Sequence, residues 1–578
     1  MNYFITSRED IKTSAIELAQ VKRLQIFDYL HQPAKIVTMY YNFAHLDAEN
    51  KLGTSGRVIN LFQFYQRLPY HMDPGFDQSL IKQILNVPGY QVKGNQAERN
   101  GKVRIKVNQD NNRLYYVDYL DQYGFTDRRD YYDCGCKTYT EFFEDRARLV
   151  CRQYYDQSGA VKITYHYRGG QGNIPVLTLI QLVDQNQELQ FDNQNEFRAY
   201  FLDQLVTNDP DALLINDRSD VTLAAFRLMH TSPRRYQVFH SAFTQDGQSN
   251  SEISPIYQPI NEMLNQGQLT GLISSTKREA MDASRRFNTN MSFAIPVTFL
   301  SQTQLEKSIP PTQRQVGHFI AVARLTKVKQ LDQLINVIIR LHEDFPKVQL
   351  DIYGYSDGWN NYQTVNELKK IINNQGADHY IHFCGYQHDL TRVYETAQAE
   401  ILTSQYEGFA MALLEAQGHG CPAISYDINY GPTEIIDNNI SGELIPANDC
   451  DALYQSLRQL LVDPELSHRY TQNAQHAAAK FSLNEVAKKW QDFLKKAYSY
   501  GPDIVTATFG EEGSMSYDGS TFYRQGIYPA AEIVNTVGAG DSFISGFVYG
   551  LIQGMDIPGC LDCGARTSSE IVQKFNPY

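Results

Sequence analysis

Between residues 318 and 475 the chain repeats one pattern, a short apolar run followed by a stretch long enough for a helix. The runs are FIAVAR, VQLDIYG, HYIHFCG, AEILTS and PAISYDI. After the first, Leu331, Leu334, Ile335, Ile338, Leu341 and Phe345 recur at helical spacing. Strands apolar on both sides need cover on both faces, and intervening amphipathic helices supply it, so the pattern specifies a parallel, doubly wound sheet.

The same texture opens the chain. MNYFIT reads as a strand, Ile16, Ala19, Arg23, Ile26, Phe27 and Leu30 as a helix stripe, and AKIVTMYY as a second strand. It resumes with the helix EFRAYFLDQLV and the strands ALLIND and YQVFH. From about 75 to 200 the period shortens to two: Val103, Ile105 and Val107, an Asn-Asn turn, LYYVDYL, then Val161, Ile163, Tyr165 and Tyr167 closed by RGGQG. That alternation indicates an antiparallel insertion. The expected fold class is α/β. One Rossmann-like lobe comes from 1–74 and 201–305, the β-rich insertion from 75–200, and a second lobe from 306–498. The helix LNEVAKKWQDFLKKAY is followed by Gly501-Pro502, a natural boundary that leaves 501–578 as a tail. Open sheets bind ligands beyond the carboxyl ends of their strands, so a cleft between the lobes is the expected site, in a transferase or in a binding protein.

A formal charge of −13 argues against general nucleic-acid affinity. The start, MNYFITSREDIK, lacks a basic region followed by an apolar run, and no stretch reaches the roughly 18 apolar residues of a membrane span, so a cytoplasmic protein is expected. The eight cysteines are scattered, without the pattern of a disulfide framework. Cys134-Gly-Cys136 and Cys560-Leu-Asp-Cys563 lie far apart with no nearby histidine pair, and Asp209-Pro210-Asp211 reads as a proline turn before a strand, so no metal site is expected.

The chemistry concentrates in EGFAMALLEAQGHGCPAISYD. Glu407 and Glu415 stand eight apart at a strand-to-helix junction, a spacing that returns to one helix face, and carboxylates there suit pairing with sugar hydroxyls. Gly408 permits close backbone approach, and N–H groups at a helix start can face an anion. Upstream, Arg324 and Lys329 follow a strand and enter a helix, where two cations could hold a diphosphate. His240 ends the strand YQVFH. Taken singly, each feature is more often a solvated or structural residue.

Together they resemble the retaining glycosyltransferases of the two-lobed GT-B fold, whose E-x7-E motif and Arg-Leu…Lys pair match here in register. SREDIKTSAIELAQVKRLQIF, DQYGFTDRRDYYD, ISSTKREAMDASRRF and AISYDINYGPTEIIDNNISGELI narrow the resemblance to bacterial poly(glycerol-phosphate) α-glucosyltransferases, over about residues 1–498. The same subgroup includes protein O-N-acetylglucosaminyltransferases of serine-rich adhesins and their silent partner subunits. The resemblance implies a UDP-sugar donor as co-substrate, with no other cofactor and no metal. Glu407, His240 and the backbone of Gly408, Phe409, Ala410 and Met411 would hold the sugar, Arg324 and Lys329 the departing UDP, and Glu415 the ribose. The loop at Ser14 would touch the donor, although Ala15 stands where the family often has Gly. The implied acceptor is a polyanionic glycopolymer or a protein, reached at the inner face of a membrane. Lys102, Arg104 and Lys106, alternating on a strand face, and Arg128-Arg129 would guide a polyphosphate, and the insertion would form a homo-oligomer.

In the tail, TFGEEGS and NTVGAGDSF resemble ribokinase-like sugar kinases. Gly538 and Gly540 would form an anion-binding loop and Asp541 would be the base. Nothing before residue 501 carries that resemblance, Asn535 stands where the family usually has Asp, and 78 residues cannot rebuild the missing sheet, so a fragment without kinase activity is expected.

Overall fold

The computed structural model describes residues 1–9, 14–43, 45–70, 74–144, 147–185, 187–207, 209, 211–307, 309–356, 362–498, 504–518 and 521–574. It separates into two compact units, Met1–Phe493 and Leu494–Tyr578. The cut falls inside the helix Leu483–Ala497; the Gly501-Pro502 boundary read from the sequence lies outside the described residues.

The first unit holds two parallel sheets. One has seven strands, in the order Ser292–Ala294, Gly271–Ser274, Arg234–Val238, Leu213–Asn216, Asn2–Thr6, Ala34–Thr38 and Val58–Asn60. The other has six, in the order Ile381–Gly385, Gln349–Tyr353, His318–Val322, Ala399–Leu402, Ala423–Asp427 and Gly442–Pro446. In both, the order reverses beside the first strand in sequence, which places a crevice at the carboxyl ends of the central strands. The helix Leu331–Asp344 turns Leu334, Ile335, Ile338 and Leu341 into the second core, as its period requires. The final helix turns Trp490 and Phe493 to the first lobe, against Phe27 and Tyr236 at 5.4 and 4.8 Å.

Ten antiparallel strands, from Gln91–Lys93 to Gln187–Phe191, form a separate meander. The stretch from 75 does not open on strands. A helix, Pro74–Leu85, comes first and packs Ile81 and Leu85 on Ile105, Val107 and Val117, because its apolar residues recur at three and four. On the opposite face two rows cross the strands. Tyr116, Tyr131, Tyr139 and Tyr154 stand in register, with the Tyr131 and Tyr139 rings 4.4 Å apart. Beside them Lys106, Asp118, Arg129, Glu141 and Arg152 alternate in sign on five successive strands. Cross-strand neighbours on one face stabilise a sheet when charges oppose or rings meet, so both rows fix the register.

The second unit is a three-stranded antiparallel sheet, Val505–Thr508, Ser514–Tyr517 and Phe522–Gln525, with two helices, Ala539–Ile552 and Ile557–Ile571. Phe543, Phe547, Cys560 and Leu561 make its core, while Ile544, Val548, Tyr549 and Ile552 stay exposed. Among the described residues no helix is long and apolar enough to cross a membrane.

Candidate active site

Glu407 is not on a helix. The helix begins at Met411, with Ala410 at its N-cap in the left-handed region (φ 69°), so Glu407 and Glu415 do not share a helix face as their spacing alone suggests. Glu407 lies in the preceding loop, where its N–H donates to the Asn429 carbonyl (2.8 Å) and its carbonyl accepts from Tyr430 N–H (2.9 Å). Gln405 N–H donates to the Val328 carbonyl (2.7 Å) and Thr403 Oγ1 to that of Lys329 (3.0 Å), which joins this loop to the one after the first strand of the lobe. Lys329 Nζ consequently reaches Glu407 Oε1 at 2.6 Å, and Ser404 Oγ donates to the same oxygen at 2.6 Å. The two residues to which the resemblance gives separate duties, diphosphate and sugar, are one ion pair here. Arg324, exposed, lies on the same loop as Lys329, beyond the strand His318–Val322.

Phe409 and Ala410 bury their side chains in the core of the lobe, Phe409 against the Phe481 ring at 5.4 Å, so only backbone is theirs to offer a ligand. Met411 is half-buried at the helix start. Glu415 faces inward: Tyr394 Oη donates to its Oε2 at 3.4 Å. Burial raises its pKa, opposed by the Tyr394 hydroxyl and by the charge of Lys22, which comes from the first lobe. Lys22 responds in kind, its pKa lowered by burial and partly restored by Glu415.

Gly408 meets the first lobe. A Cβ there would stand 2.4 Å from the His240 carbonyl oxygen, so no other residue fits at this approach. His240, two residues past the strand Arg234–Val238, donates or accepts at Nε2 with Asp217 Oδ1 at 2.7 Å. Asp217 is wholly buried in side chain and also accepts from Arg23 Nη1 and Nη2 (2.8 and 2.9 Å) and Gln20 Nε2 (2.7 Å). Burial alone would raise this carboxyl, but the Arg23 charge and the His240 hydrogen bond hold it far below the usual carboxylate range. Sequence reasoning missed Asp217, although a signal was present: Arg23 interrupts an apolar helix stripe, and a charged residue in such a stripe requires a buried counter-charge.

Ser14 is occupied as a helix cap. It begins the helix Ala15–Tyr29 in a capping box with Glu17, and Arg218 Nη2 donates to Ser14 Oγ (3.2 Å) and Glu17 Oε1 (2.6 Å).

The basic residues of the insertion do not form one patch. Lys102 and Lys106 are exposed and Arg104 is half-buried, all opposite Ile105 and Val107. Arg128 and Arg129, adjacent on a strand, point to opposite faces. Arg129 shares the Lys106 face and is paired with Asp118 at 2.6 Å, while Arg128 lies over the Tyr119 ring at 3.9 Å and 3.2 Å from Asp130. Among the described residues no group of three or more His, Cys, Asp or Glu is arranged for a metal ion. Cys134 and Cys136 flank a hairpin turn, and burial pushes the Cys136 thiol up to about 11. Asp209 accepts the Ala212 N–H at 2.9 Å, and Pro210 between the two aspartates lies outside the described residues. In the tail Gly538 caps the helix that carries Gly540 and Asp541 in its first turn, and Asn535 Oδ1 accepts from Val537 N–H at 3.0 Å.

Residues 305–477 match the family described as glycosyl transferases group 1. Residues 449–578 match the pfkB family of carbohydrate kinases. This second match begins well before residue 501 and takes in three helices, Cys450–Val462, Pro464–Ala478 and Leu483–Ala497, the first two of which pack in the first unit. The chain is 24% identical over 515 residues to the GtfA subunit of the UDP-N-acetylglucosamine–peptide N-acetylglucosaminyltransferase of Streptococcus gordonii, covering 84% of this chain and 96% of that one. It is 21% identical to the poly(glycerol-phosphate) alpha-glucosyltransferase of Bacillus subtilis, over 61% of this chain and 55% of that one. Its structure is similar to that of a variant of S. aureus TarM in complex with fondaparinux, alpha-GlcNAc-glycerol and UDP, with a TM-score of 0.70 at 18% identity over 86% of this chain and 99% of that one. The protein accordingly has the two-lobed GT-B fold, its second lobe matching the family of group 1 glycosyl transferases and its C-terminal segment matching the pfkB kinases.

Proposed function

We propose that the protein transfers a hexose from a UDP-sugar, with retention of configuration, to a phosphate-rich glycopolymer of the cell wall such as poly(glycerol-phosphate). One observation carries the reading: Lys329 and Glu407 of one lobe form an ion pair beside Gly408, and Gly408 touches the carbonyl of His240 from the other lobe. The groups assigned to the donor thus converge where the lobes meet. The donor diphosphate takes Lys329 together with Arg324 and releases Glu407 for the sugar hydroxyls. The C1–O bond to UDP breaks while these two cations hold the leaving charge, and the acceptor oxygen bonds to C1 on the same face. Among the residues placed here none is a dedicated base, so the acceptor proton passes to the departing phosphate oxygen. Glu415 accepts from the ribose. No metal and no cofactor beyond the UDP-sugar take part, and the work is done on the cytoplasmic side of a membrane.

Glucose and N-acetylglucosamine are both candidates for the sugar, because relatives of each kind align with the chain. A second reading is transfer of N-acetylglucosamine to a serine-rich protein, with a partner subunit. It is favoured by the length over which the S. gordonii protein aligns. The deciding experiment incubates the protein with UDP-glucose or UDP-N-acetylglucosamine and either poly(glycerol-phosphate) or a serine-rich peptide, reading UDP release and the anomeric proton of the product. Acceptor-dependent release with an α-linked product is expected for one pair. A β-linked product would sink retention, and no release with any pair would sink the proposal.

A further inference from the structure

The reading of His240 as a donor-facing residue leaves open what its ring presents to the cleft, and the buried network behind it answers that. The Asp217 carboxylate receives hydrogen bonds from three side chains, at 2.7 to 2.9 Å, and none of it is exposed. Arg23, which neutralises it, is itself fixed, with its guanidinium 5.0 Å from the Phe4 ring centre and 5.1 Å from that of Trp490. A carboxylate bound bidentately by an arginine in a closed site stays ionised, and an ionised carboxylate only accepts. The imidazole nitrogen that meets it at 2.7 Å therefore carries a proton.

Resting on the function proposed above, we infer that Asp217 is a positioning residue which locks His240 as the Nε2–H tautomer, so that Nδ1 is its lone-pair nitrogen and the ring cannot rotate when the sugar binds. Because the Arg23–Asp217 pair is already neutral as a unit, its effect on His240 is one of orientation and tautomer, as a hydrogen-bond partner behind an imidazole provides. Gln20 closes the last lone pair of Oδ2, which leaves the carboxylate no alternative pose.

The test uses the full chain. Long-range 1H–15N correlation on protein labelled in histidine, with H240A to assign the signal, should give the Nε2–H pattern for the free enzyme at pH 7.5. D217N should reduce kcat at least tenfold, with the KM for the UDP-sugar within about twofold of wild type, and D217N/H240A should be no slower than H240A. An Nδ1–H pattern overturns the proposal without reference to activity, so it stands even if D217N fails to fold. So does a double variant that loses the product of the single effects, since that marks Asp217 as acting apart from His240. If H240A itself transfers normally, the role given to His240 fails and the purpose of the lock with it.

Discussion

Gly408 has no space for a side chain, and the consequence is specific. An added methyl must displace either its own loop, which carries Glu407, or the His240 backbone, since the obstructing atoms are main chain. We predict that G408A lowers kcat tenfold or more, because a shift of about 1 Å in a reacting group costs about that much or more. Normal turnover by G408A would mean that the lobes do not need this approach. Lys329 and Glu407 are a second residue-scale case. K329M takes the ion-pair partner from Glu407 and, on the proposed function, removes a leaving-group contact, so kcat should fall on the order of a hundredfold, with a smaller change in thermal midpoint. Equal kcat in K329M and wild type would separate the pair from the chemistry. Glu9 gives a pH signature. It is 4% exposed, accepts from Thr54 Oγ1 at 3.0 Å, and has its pKa pushed up to about 7 by burial, opposed by Thr54 and reinforced by Glu49 and Glu17. A raised carboxyl keeps its proton in the folded chain when the unfolded chain has released it, so stability falls as pH rises from about 4.5 to 7. E9Q should therefore gain on wild type between pH 5 and pH 8 by on the order of 2 kcal/mol, read from denaturant midpoints. An unchanged difference across that range would refute the assignment.

At the scale of elements, one helix is capped from the opposite lobe. The helix Lys277–Arg286 of the first lobe presents its first N–H groups to Glu434 Oε1 of the second, from Lys277 and, at 3.3 Å, from Arg278. Tyr430 Oη donates to Asp282 Oδ2 of that helix at 3.0 Å, and Asn429 Nδ2 to the Gly247 carbonyl at 2.9 Å. Residues 429 and 430 also hold the backbone of Glu407, so the cap braces the site. E434A should raise the donor KM several-fold while costing only about 1 kcal/mol of stability, the usual worth of a cap. A loss confined to stability would make the cap structural only. In the insertion, Lys102 and Lys106 are exposed on one strand, with Arg104 half-buried between them. Reversing Lys102, Arg104 and Lys106 should raise the KM for a polyphosphate acceptor at low salt, where screening is weak. An unchanged KM there would remove the insertion from acceptor binding.

For the whole molecule, the division after Phe493 puts every residue of the candidate site in the first unit. Truncation after Ser499 should leave UDP release within about twofold of the full chain, and the full chain should release no ADP from ATP in the presence of hexoses. A large loss in the first assay, or turnover in the second, would contradict the separation. Much of this architecture was legible in the sequence, because strand and helix periods and a burial pattern are local: FIAVAR and its helix can bury their faces in only one kind of layer. The motif EGFAMALLE was equally legible, as were Arg324 and Lys329, through their order along the chain. What the sequence did not contain was which side chains meet. Asp217 and Arg23, separated by 194 residues, meet because the strands before them are neighbours in one sheet, and Glu434 and Lys277, separated by 157, meet where the lobes come together. The spacing of Glu407 and Glu415 suggested one helix face, yet the helix begins after Glu407, since the loop is held first by Val328 and Asn429. Arg128 and Arg129 read as one basic pair until the strand pleat sent them to opposite faces. The sequence by itself determined the layers and named the candidate site residues, since both follow from local period and motif. Only the tertiary structure decided which charges neutralise one another, because burial makes an unpaired charge costly and a counter-charge can come from any distance along the chain.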